Sequence, residues 1–262
     1  MGKRYGIVGY PLTWTLSPKM HNRAFSFLGI RAVFEAYPVQ DVREAVRLIK
    51  DTPLEGASVT IPHKEAIIPH LDEVDEVSRE IGAVNTVIRM GKTLHGANTD
   101  WEGFLKAIKE VTALKGKEVL ILGAGGAARA AAYAVKREGG SFTVASRTFR
   151  RAEKVAVDFG GRALPWEERG LWEGDIIVNA TPLGSKGERP LSGEVIKPHM
   201  VVMDMVYTPR KTPLLEAALE RGARVVEGLR MLLFQGVKQF ELWLNIEAPE
   251  EVMWEVLTET ST

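Results

Sequence analysis

The chain reads as an α/β protein of two domains, an N-terminal α/β domain followed by a doubly wound, Rossmann-type domain. Three observations predict this. Short β-rich runs alternate with segments of helical period from end to end, the pattern of largely parallel sheets. The length, 262 residues, exceeds one small core and suits two domains of roughly 100 to 150 residues each. A glycine-rich strand-to-helix turn stands in mid-chain, at Gly123-Ala124-Gly125-Gly126.

In chain order, Tyr5 to Gly9 predicts a strand and Ser17-Pro18 opens a helix to about Leu28, since proline suits the first helical turn. Val33 to Val39 predicts a strand, Val42 to Lys50 a helix and Gly56 to Thr60 another strand, and Pro62 opens a further helix. Val84 to Arg89 and Thr93 to Gly96 form a hairpin across Met90-Gly91-Lys92. The acidic run Asp72 to Glu76 reads as a solvated face. After Asp100 the pattern restarts with an amphipathic helix from Trp101 to about Val111, and strands follow at Glu118 to Leu122, Ser141 to Ala145, Asp175 to Asn179, Met200 to Asp204 and Ala223 to Val226. Helices are expected after Gly126, between the second and third of these strands, and at Pro213 to Arg221. The last long helix, Leu229 to Leu244, is apolar on more than one face and would pack in a cleft between the domains and return the chain to the first. The expected division is 1–100 plus 230–262 for the first domain and 101–229 for the second.

Charge and composition remove several function classes. Basic and acidic residues balance at 34 each, so no global field attracts nucleic acid. Without cysteine, disulfides, thiolate nucleophiles and cysteine metal sites are excluded, as fits a cytoplasmic protein. The five histidines are scattered without metal spacing, so no metal is expected. No apolar run is long enough for a membrane span, and the N-terminus enters its first strand without a signal-peptide core. A small-molecule enzyme remains.

Val119 to Leu122 leads into Gly123-Ala124-Gly125-Gly126-Ala127-Ala128, a G-x-G-x-x-A pattern with a strand before it and an Ala-rich helix after it. Gly123 permits the tight turn, Gly125 lets backbone approach a pyrophosphate, and Ala128 is small enough for helix to pack on strand. The helix start offers free N–H groups and a positive dipole end to phosphates. The alternative is an ordinary tight turn. The next strand ends Ser146-Arg147-Thr148, with Arg150 and Arg151 following. NAD binders place a carboxylate there for the ribose hydroxyl, whereas arginine accommodates a 2′-phosphate. This favours NADP(H), against the alternative of a solvated basic helix start.

Polar clusters stand at strand ends before the nucleotide loop, where open α/β sheets bind ligands: Thr15 to Asn22, Ser58 to Lys64, and Gly82 to Thr86 with Asn98 to Asp100. Singly, each has a structural explanation: Ser17 as an N-cap, Thr60 capping the helix after Pro62, and Asn98 to Asp100 capping the helix at Trp101.

Together the clusters resemble the shikimate dehydrogenase family. The resemblance rests on S-P-x-M-H-N at Ser17 to Asn22, V-T-I-P-x-K at Val59 to Lys64, G-A-V-N-T at Gly82 to Thr86 and N-T-D-x-x-G at Asn98 to Gly103. It continues in G-A-G-G-A-A-R from Gly123, N-A-T-P-L-G from Asn179, D-M-V-Y-x-P from Asp204 and M-L-x-x-Q-G from Met231. The resemblance implies NADPH-dependent, reversible reduction of 3-dehydroshikimate to shikimate, a step of aromatic amino-acid biosynthesis, by a monomer or homodimer.

Carried over residue by residue, it implies that Thr15 and Ser17 hold the substrate carboxylate with Tyr207 nearby, and that Thr60, Asn85, Asp100 and Gln235 meet the ring hydroxyls. Lys64 and Asp100 form the catalytic pair. Arg147, Thr148 and Arg151 take the 2′-phosphate, with Ser146 in the adenosine site. Asn179, Ala180 and Thr181 line the nicotinamide-ribose passage, and Met205, Tyr207 and Gly228 lie by the nicotinamide. The sequence departs from the family pattern at Trp14 (often His), Thr15 (often Ser) and Ser146 (usually Asn). The Thr15 methyl keeps quinate open as an alternative substrate. A non-catalytic ligand-binding regulator on the same fold would have lost Lys64 or Asp100, and both are present.

Overall fold

The computed structural model describes residues 2–259 and divides the chain into two compact units, one running to Asp100 and resuming at Leu233, the other Trp101–Leu232. Residues 1 and 260–262, counted in the expected first domain, lie outside the described residues.

The first unit contains β1 (Lys3–Gly9), α1 (Ser17–Phe27), β2 (Ala32–Pro38), α2 (Val42–Asp51), β3 (Leu54–Val59) and α3 (His63–Ala66), then β4 (Glu73–Val74), α4 (Glu76–Ile81), β5 (Thr86–Met90) and β6 (Thr93–Ala97). Its six-stranded sheet has the order β2-β1-β3-β5-β6-β4. β1 pairs in parallel with β2 and β3, while β5 runs antiparallel to both β3 and β6, so this sheet is mixed. Met90 pairs with Thr93, which tightens the predicted hairpin turn to Gly91-Lys92, with Gly91 at φ +65°. One face of the sheet packs Val8, Ala57 and Val59 against Ala45, Val46 and Ile49 of α2. Each buried valine or isoleucine among them contributes roughly 1.5–3 kcal/mol. An aromatic group of Tyr5, His21, Phe25, Phe34, Phe240 and Trp243 forms a second packed layer in this unit.

The acids of the run Asp72 to Glu76 are exposed, as expected, and are structured as well: Asp72 accepts from the Leu94 N–H, Glu73–Val74 forms β4, and Asp75 caps α4 by accepting from the Ser78 N–H. Two expectations change here. Ser17 is not an N-cap; Leu16 stands at that position and Ser17 is the first, buried residue of α1. Thr60 does not cap α3, whose N-cap is Pro62 without a side-chain bond.

The second unit takes in most of α5 (Asp100–Lys109), then β7 (Glu118–Leu122), α6 (Gly126–Arg137), β8 (Ser141–Ser146), α7 (Phe149–Phe159), β9 (Arg162–Pro165), β10 (Ile176–Asn179), β11 (Val201–Asp204), α8 (Pro213–Glu220) and β12 (Arg224–Val226). α9 (Gly228–Leu244) begins in this unit and ends in the first, which α10 (Glu250–Glu259) completes. The sheet order is β12-β11-β10-β7-β8-β9 with every pair parallel. That is the Rossmann order, in which the strand sequence reverses between β7 and β10 and ligands bind at the carboxyl ends there. Leu120, Leu122, Ile177 and Val202 pack with Leu214, Leu215 and Ala218 of α8. α6 brings a run of fully buried alanines from Ala130 to Ala132, small enough for close packing.

Candidate active site

In the first unit, the segments that carry polar residues are docked on one another by backbone bonds. The Val84 N–H donates to the Lys64 carbonyl at 2.8 Å, the Val59 N–H to the Asn85 carbonyl at 2.7 Å, and the Asn85 N–H to the Ala97 carbonyl at 3.1 Å. α4 ends at Gly82 in the left-handed conformation, φ +70°, which glycine adopts without steric cost. The chain then turns inward, and Ala83, Val84, Asn85 and Thr86 are buried.

Lys64 and Asp100 meet in this cluster. Lys64 Nζ donates to Asp100 Oδ2 at 2.5 Å, and Asn85 Nδ2 donates to Asp100 Oδ1 at 2.9 Å. The Lys64 side chain keeps 15% of its surface exposed and that of Asp100 5%, so the pair is largely shielded from water. Asn98 fixes the start of α5 by accepting from the Asp100 N–H at 2.9 Å and donating to the Ala83 carbonyl. Asn98 thus supports the start of α5 from one residue before the N-cap position, whereas the Asp100 carboxylate is left to Lys64 and Asn85. Gln235 Oε1 stands 3.4 Å from Asn85 Nδ2. A Cβ at Gly236 would come within 2.1 Å of Met20 Cε, so glycine there lets α9 close onto α1. Thr15 and Ser17 sit at the start of α1, joined by a long 3.4 Å contact from the Ser17 N–H to Thr15 Oγ1. Thr60 follows β3 beside the end of β1, where its N–H donates to the Val8 carbonyl.

The second unit builds its site mainly from backbone. Gly123 has φ +111°, and a Cβ there would lie 2.9 Å from the Ala180 carbonyl oxygen, so both conformation and close approach require glycine. At Gly125 a Cβ would meet nothing within 4 Å. Open space therefore faces the backbone at the start of α6, whose N-cap makes no side-chain bond and whose first N–H groups are unclaimed by any cap. Gly126 and Ala127 form that first turn, Ala124 is buried, and Ala128 is fully buried beneath it. A dinucleotide pyrophosphate fits this cradle: the donors, dipole and space it needs are present.

Arg147, Thr148, Arg150 and Arg151 are exposed around the start of α7, after the half-buried Ser146, and no acidic residue stands in that helix's first turn. Asn179 is fully buried and its amide is occupied: Nδ2 donates to the Leu183 carbonyl and Asp204 Oδ1, while Oδ1 accepts from the Thr181 N–H and hydroxyl. It shapes the Ala180–Thr181 turn from below. Asp204 accepts from Asn179, the Val206 N–H and the Thr212 hydroxyl; burial pushes its carboxyl up to about 6, against those three bonds. Met205 and Tyr207 continue from it, half-buried. A Cβ at Gly228 would approach the Val206, Asp204 and Met205 carbonyl oxygens at 2.6–2.8 Å, so only glycine fits beside that turn.

Thr86, Thr99, Gln239 and Asp204 lay in or near recognised motifs but carried no predicted role. Gln239 was detectable in principle, because it follows Gln235 by four residues on one helix and so shares its face. Among the described residues no group of His, Asp and Glu side chains is arranged to hold a metal, and no helix is long and apolar enough to cross a membrane.

Residues 7–87 match the model of the shikimate dehydrogenase substrate binding domain, residues 106–187 that of shikimate/quinate 5-dehydrogenase, and residues 228–258 that of the shikimate 5′-dehydrogenase C-terminal domain. The chain is 41% identical to shikimate dehydrogenase (NADP+) of Syntrophobacter fumaroxidans, over 94% of this chain and 88% of the relative. It is 43% identical to the protein of the same name from Moorella thermoacetica, over 97% and 92%. Among solved structures, shikimate 5-dehydrogenase of Thermus thermophilus in complex with NADP(H) and shikimate superposes with a TM-score of 0.89 at 36% identity, covering 98% of this chain and 99% of that one. With such identity sustained along nearly its whole length, the chain belongs to the shikimate dehydrogenase family.

Proposed function

We propose that this protein catalyses the reversible NADPH-dependent reduction of 3-dehydroshikimate to shikimate, with Lys64 and Asp100 as its proton-handling pair. The observation that carries the assignment of roles is the 2.5 Å contact between Lys64 and Asp100 inside a cluster of hydrogen-bonding side chains. NADPH, when bound, supplies the hydride. As hydride reaches the ketone carbon, negative charge develops on its oxygen, and a donor poised there contributes roughly 100- to 10,000-fold. Lys64 Nζ supplies that proton in reduction and takes it back in oxidation. Asp100 orients the ammonium and Asn85 orients Asp100. Thr15 and Ser17 offer hydroxyl groups to the substrate carboxylate, with Tyr207 as a further donor, and Thr60, Asn85 and Gln235 answer the ring hydroxyls.

For the nucleotide, the Gly123–Ala127 turn would hold the pyrophosphate and Arg147, Thr148 and Arg151 the 2′-phosphate, with Ser146 beside the adenosine. Ala180, Thr181, Met205 and Gly228 would border the nicotinamide ribose and ring, over the frame built by Asn179. Residues 1–100 with 230–262 then serve as the substrate domain and 101–229 as the NADP domain.

Quinate stays as a second reading because of one residue. Thr15 keeps a hydroxyl where the carboxylate would bind but adds a methyl, which alters the shape of the pocket. NADP+ reduction measured with shikimate and with quinate decides between them. The expected result is a higher kcat/KM for shikimate; a higher value for quinate overturns the substrate assignment, and activity with neither overturns the reaction.

A further inference from the structure

Behind the Lys64–Asp100 pair lies a cluster of buried side chains through which one line of hydrogen bonds runs from Ser58 to Asp100. Ser58 donates from its hydroxyl to Gln239 Oε1 at 2.8 Å. Gln239 Nε2 donates to Thr86 Oγ1 at 3.0 Å and to the Asn85 carbonyl at 3.1 Å. The Thr86 hydroxyl donates to Asn85 Oδ1 at 2.8 Å, and Asn85 Nδ2 donates to Asp100 Oδ1 at 2.9 Å.

Backbone groups set this polarity. The Thr99 N–H, a pure donor, points at Asn85 Oδ1 at 2.7 Å, so the Asn85 amide presents its NH2 to Asp100. A flipped amide would set NH2 against N–H and oxygen against carboxylate. The Asn85 carbonyl, a pure acceptor, fixes Gln239 in the same manner: its NH2 faces Asn85 and Thr86, and its oxygen faces Ser58. Thr86, already accepting from Gln239, directs its own proton to Asn85. Ser58, Asn85, Thr86, Thr99, Asp100 and Gln239 are all buried, and away from water such bonds hold geometry most strongly.

We infer that Thr86 and Gln239 are positioning residues for proton transfer, acting through Asn85 to hold Asp100 and the Lys64 ammonium in one orientation. The inference rests on the reading of Lys64 and Asp100 given under Proposed function. It goes beyond that reading in assigning a role to residues that need touch neither substrate nor nucleotide.

Shape and hydrogen bonding can be separated at Thr86. Thr86→Val keeps the shape and removes the hydroxyl, whereas Thr86→Ser keeps the hydroxyl and removes the methyl. Gln239→Met breaks the line one residue further back. Shikimate oxidation by NADP+, NADP+ binding and thermal melting are measured for each, with Lys64→Ala as control. Thr86→Val is expected to lower kcat by roughly tenfold, the worth of a lost buried hydrogen bond with its misaligned neighbour, and to leave the NADP+ Kd unchanged. Thr86→Ser should keep kcat within about twofold even as the lost methyl lowers its melting temperature. Thr86→Val combined with Gln239→Met should lose no more turnover than Thr86→Val alone, because residues in series do not add.

The inference is overturned if Thr86→Ser falls as far as Thr86→Val, if the two losses multiply in the double variant, or if the changes appear only in melting or NADP+ binding. Should Thr86→Val not fold, Gln239→Met against Thr86→Ser makes the same comparison. Retained turnover in Lys64→Ala removes the catalytic reading and this inference with it. Lost turnover in Lys64→Ala, with unchanged turnover in Thr86→Val and Gln239→Met, removes this inference alone.

Discussion

Lys64, Asp100 and Asn85 are held by side chains that grip one another, whereas the Gly123–Gly126 turn is made of backbone whose main requirement is the absence of side chains. In the first unit the Asp100 carboxylate accepts from Lys64 and Asn85 before any ligand arrives. In the second, Gly125 faces open space and α6 begins without a side-chain cap. The first arrangement suits proton transfer, which needs one donor at one place. The second suits a phosphate, which is met by several N–H groups and a dipole together. Side-chain deletions should therefore damage turnover in the first unit, while added carbon or reversed charge should damage nucleotide binding in the second.

The largest expected effect is at Lys64. Lys64→Ala should lower kcat by roughly 100- to 10,000-fold with NADP+ binding unchanged, as read by steady-state kinetics beside fluorescence titration of the nucleotide. Unchanged turnover would dissolve the contrast between the units. Next is Arg147→Asp, which sets a carboxylate where a 2′-phosphate would bind. It should weaken NADPH by roughly tenfold to a hundredfold, the worth of a charge-assisted hydrogen bond, and leave NADH nearly unaffected. Equal losses for both nucleotides would remove the 2′-phosphate contact.

Gly123→Ala tests the backbone directly. At φ +111° with a carbonyl oxygen 2.9 Å from the added Cβ, the turn must shift, at a cost of about 1–3 kcal/mol. Calorimetric NADP+ titration should show weaker binding, with little change in kcat at saturating nucleotide. Binding as tight as in the parent would show that the turn tolerates a side chain.

Stability rather than turnover distinguishes the buried ionisable groups of the two units. His21 is stacked on Phe34 at 4.5 Å between ring centroids, and burial pushes its pKa down to about 3. The unfolded chain takes up this proton from about pH 6.5 downward while the folded protein resists, so His21 contributes stability that is lost as pH falls from there toward 3. Asp204 acts in the opposite sense. Its folded pKa of about 6 exceeds the ordinary 3.8, so the folded form holds a proton that the unfolded chain releases, and stability falls as pH rises through that window. Relative to the parent, Asp204→Asn should gain stability between about pH 4 and 6, and His21→Leu should gain it between about pH 6.5 and 3. Denaturant midpoints measured across that range would show it; a pH-independent difference for either variant would contradict the corresponding assignment.

Periodicity and turn chemistry made most of the fold legible. The Rossmann strands are continuous apolar runs, and β1 to β3 with their helices follow from strand runs, helical periodicity and Ser-Pro. Apart from the ten-residue α10, for which no helix was expected, the elements that escaped are short or masked by composition. β9 spans Arg162–Pro165 after two glycines, β4 is two residues inside an acidic run, and α4 starts within that same run. In the run from Asp72 to Glu76, two of the acids are backbone acceptors, a use that charge patterning does not reveal.

The site was legible as motifs rather than as geometry. Ser17 and Thr60 looked like caps and are not, because Leu16 and Pro62 hold those positions. Asn98 does accept from the first N–H of α5, from one residue before the N-cap position. Nothing in the spacing of Ser58, Thr86 and Gln239 reveals that they meet, since strands β3 and β5 and helix α9 bring them together across more than half the chain. The Asn179 amide likewise could have faced a ligand, and only the fold shows it occupied by Leu183, Asp204 and Thr181.

The reaction itself is tested most directly by incubating the purified protein with 3-dehydroshikimate and NADPH deuterated at the transferable position, and following both absorbance and product. The account predicts NADPH oxidation matched by formation of shikimate carrying deuterium at its new carbinol carbon. Nucleotide oxidation without labelled shikimate, or no oxidation with this ketone, would contradict it.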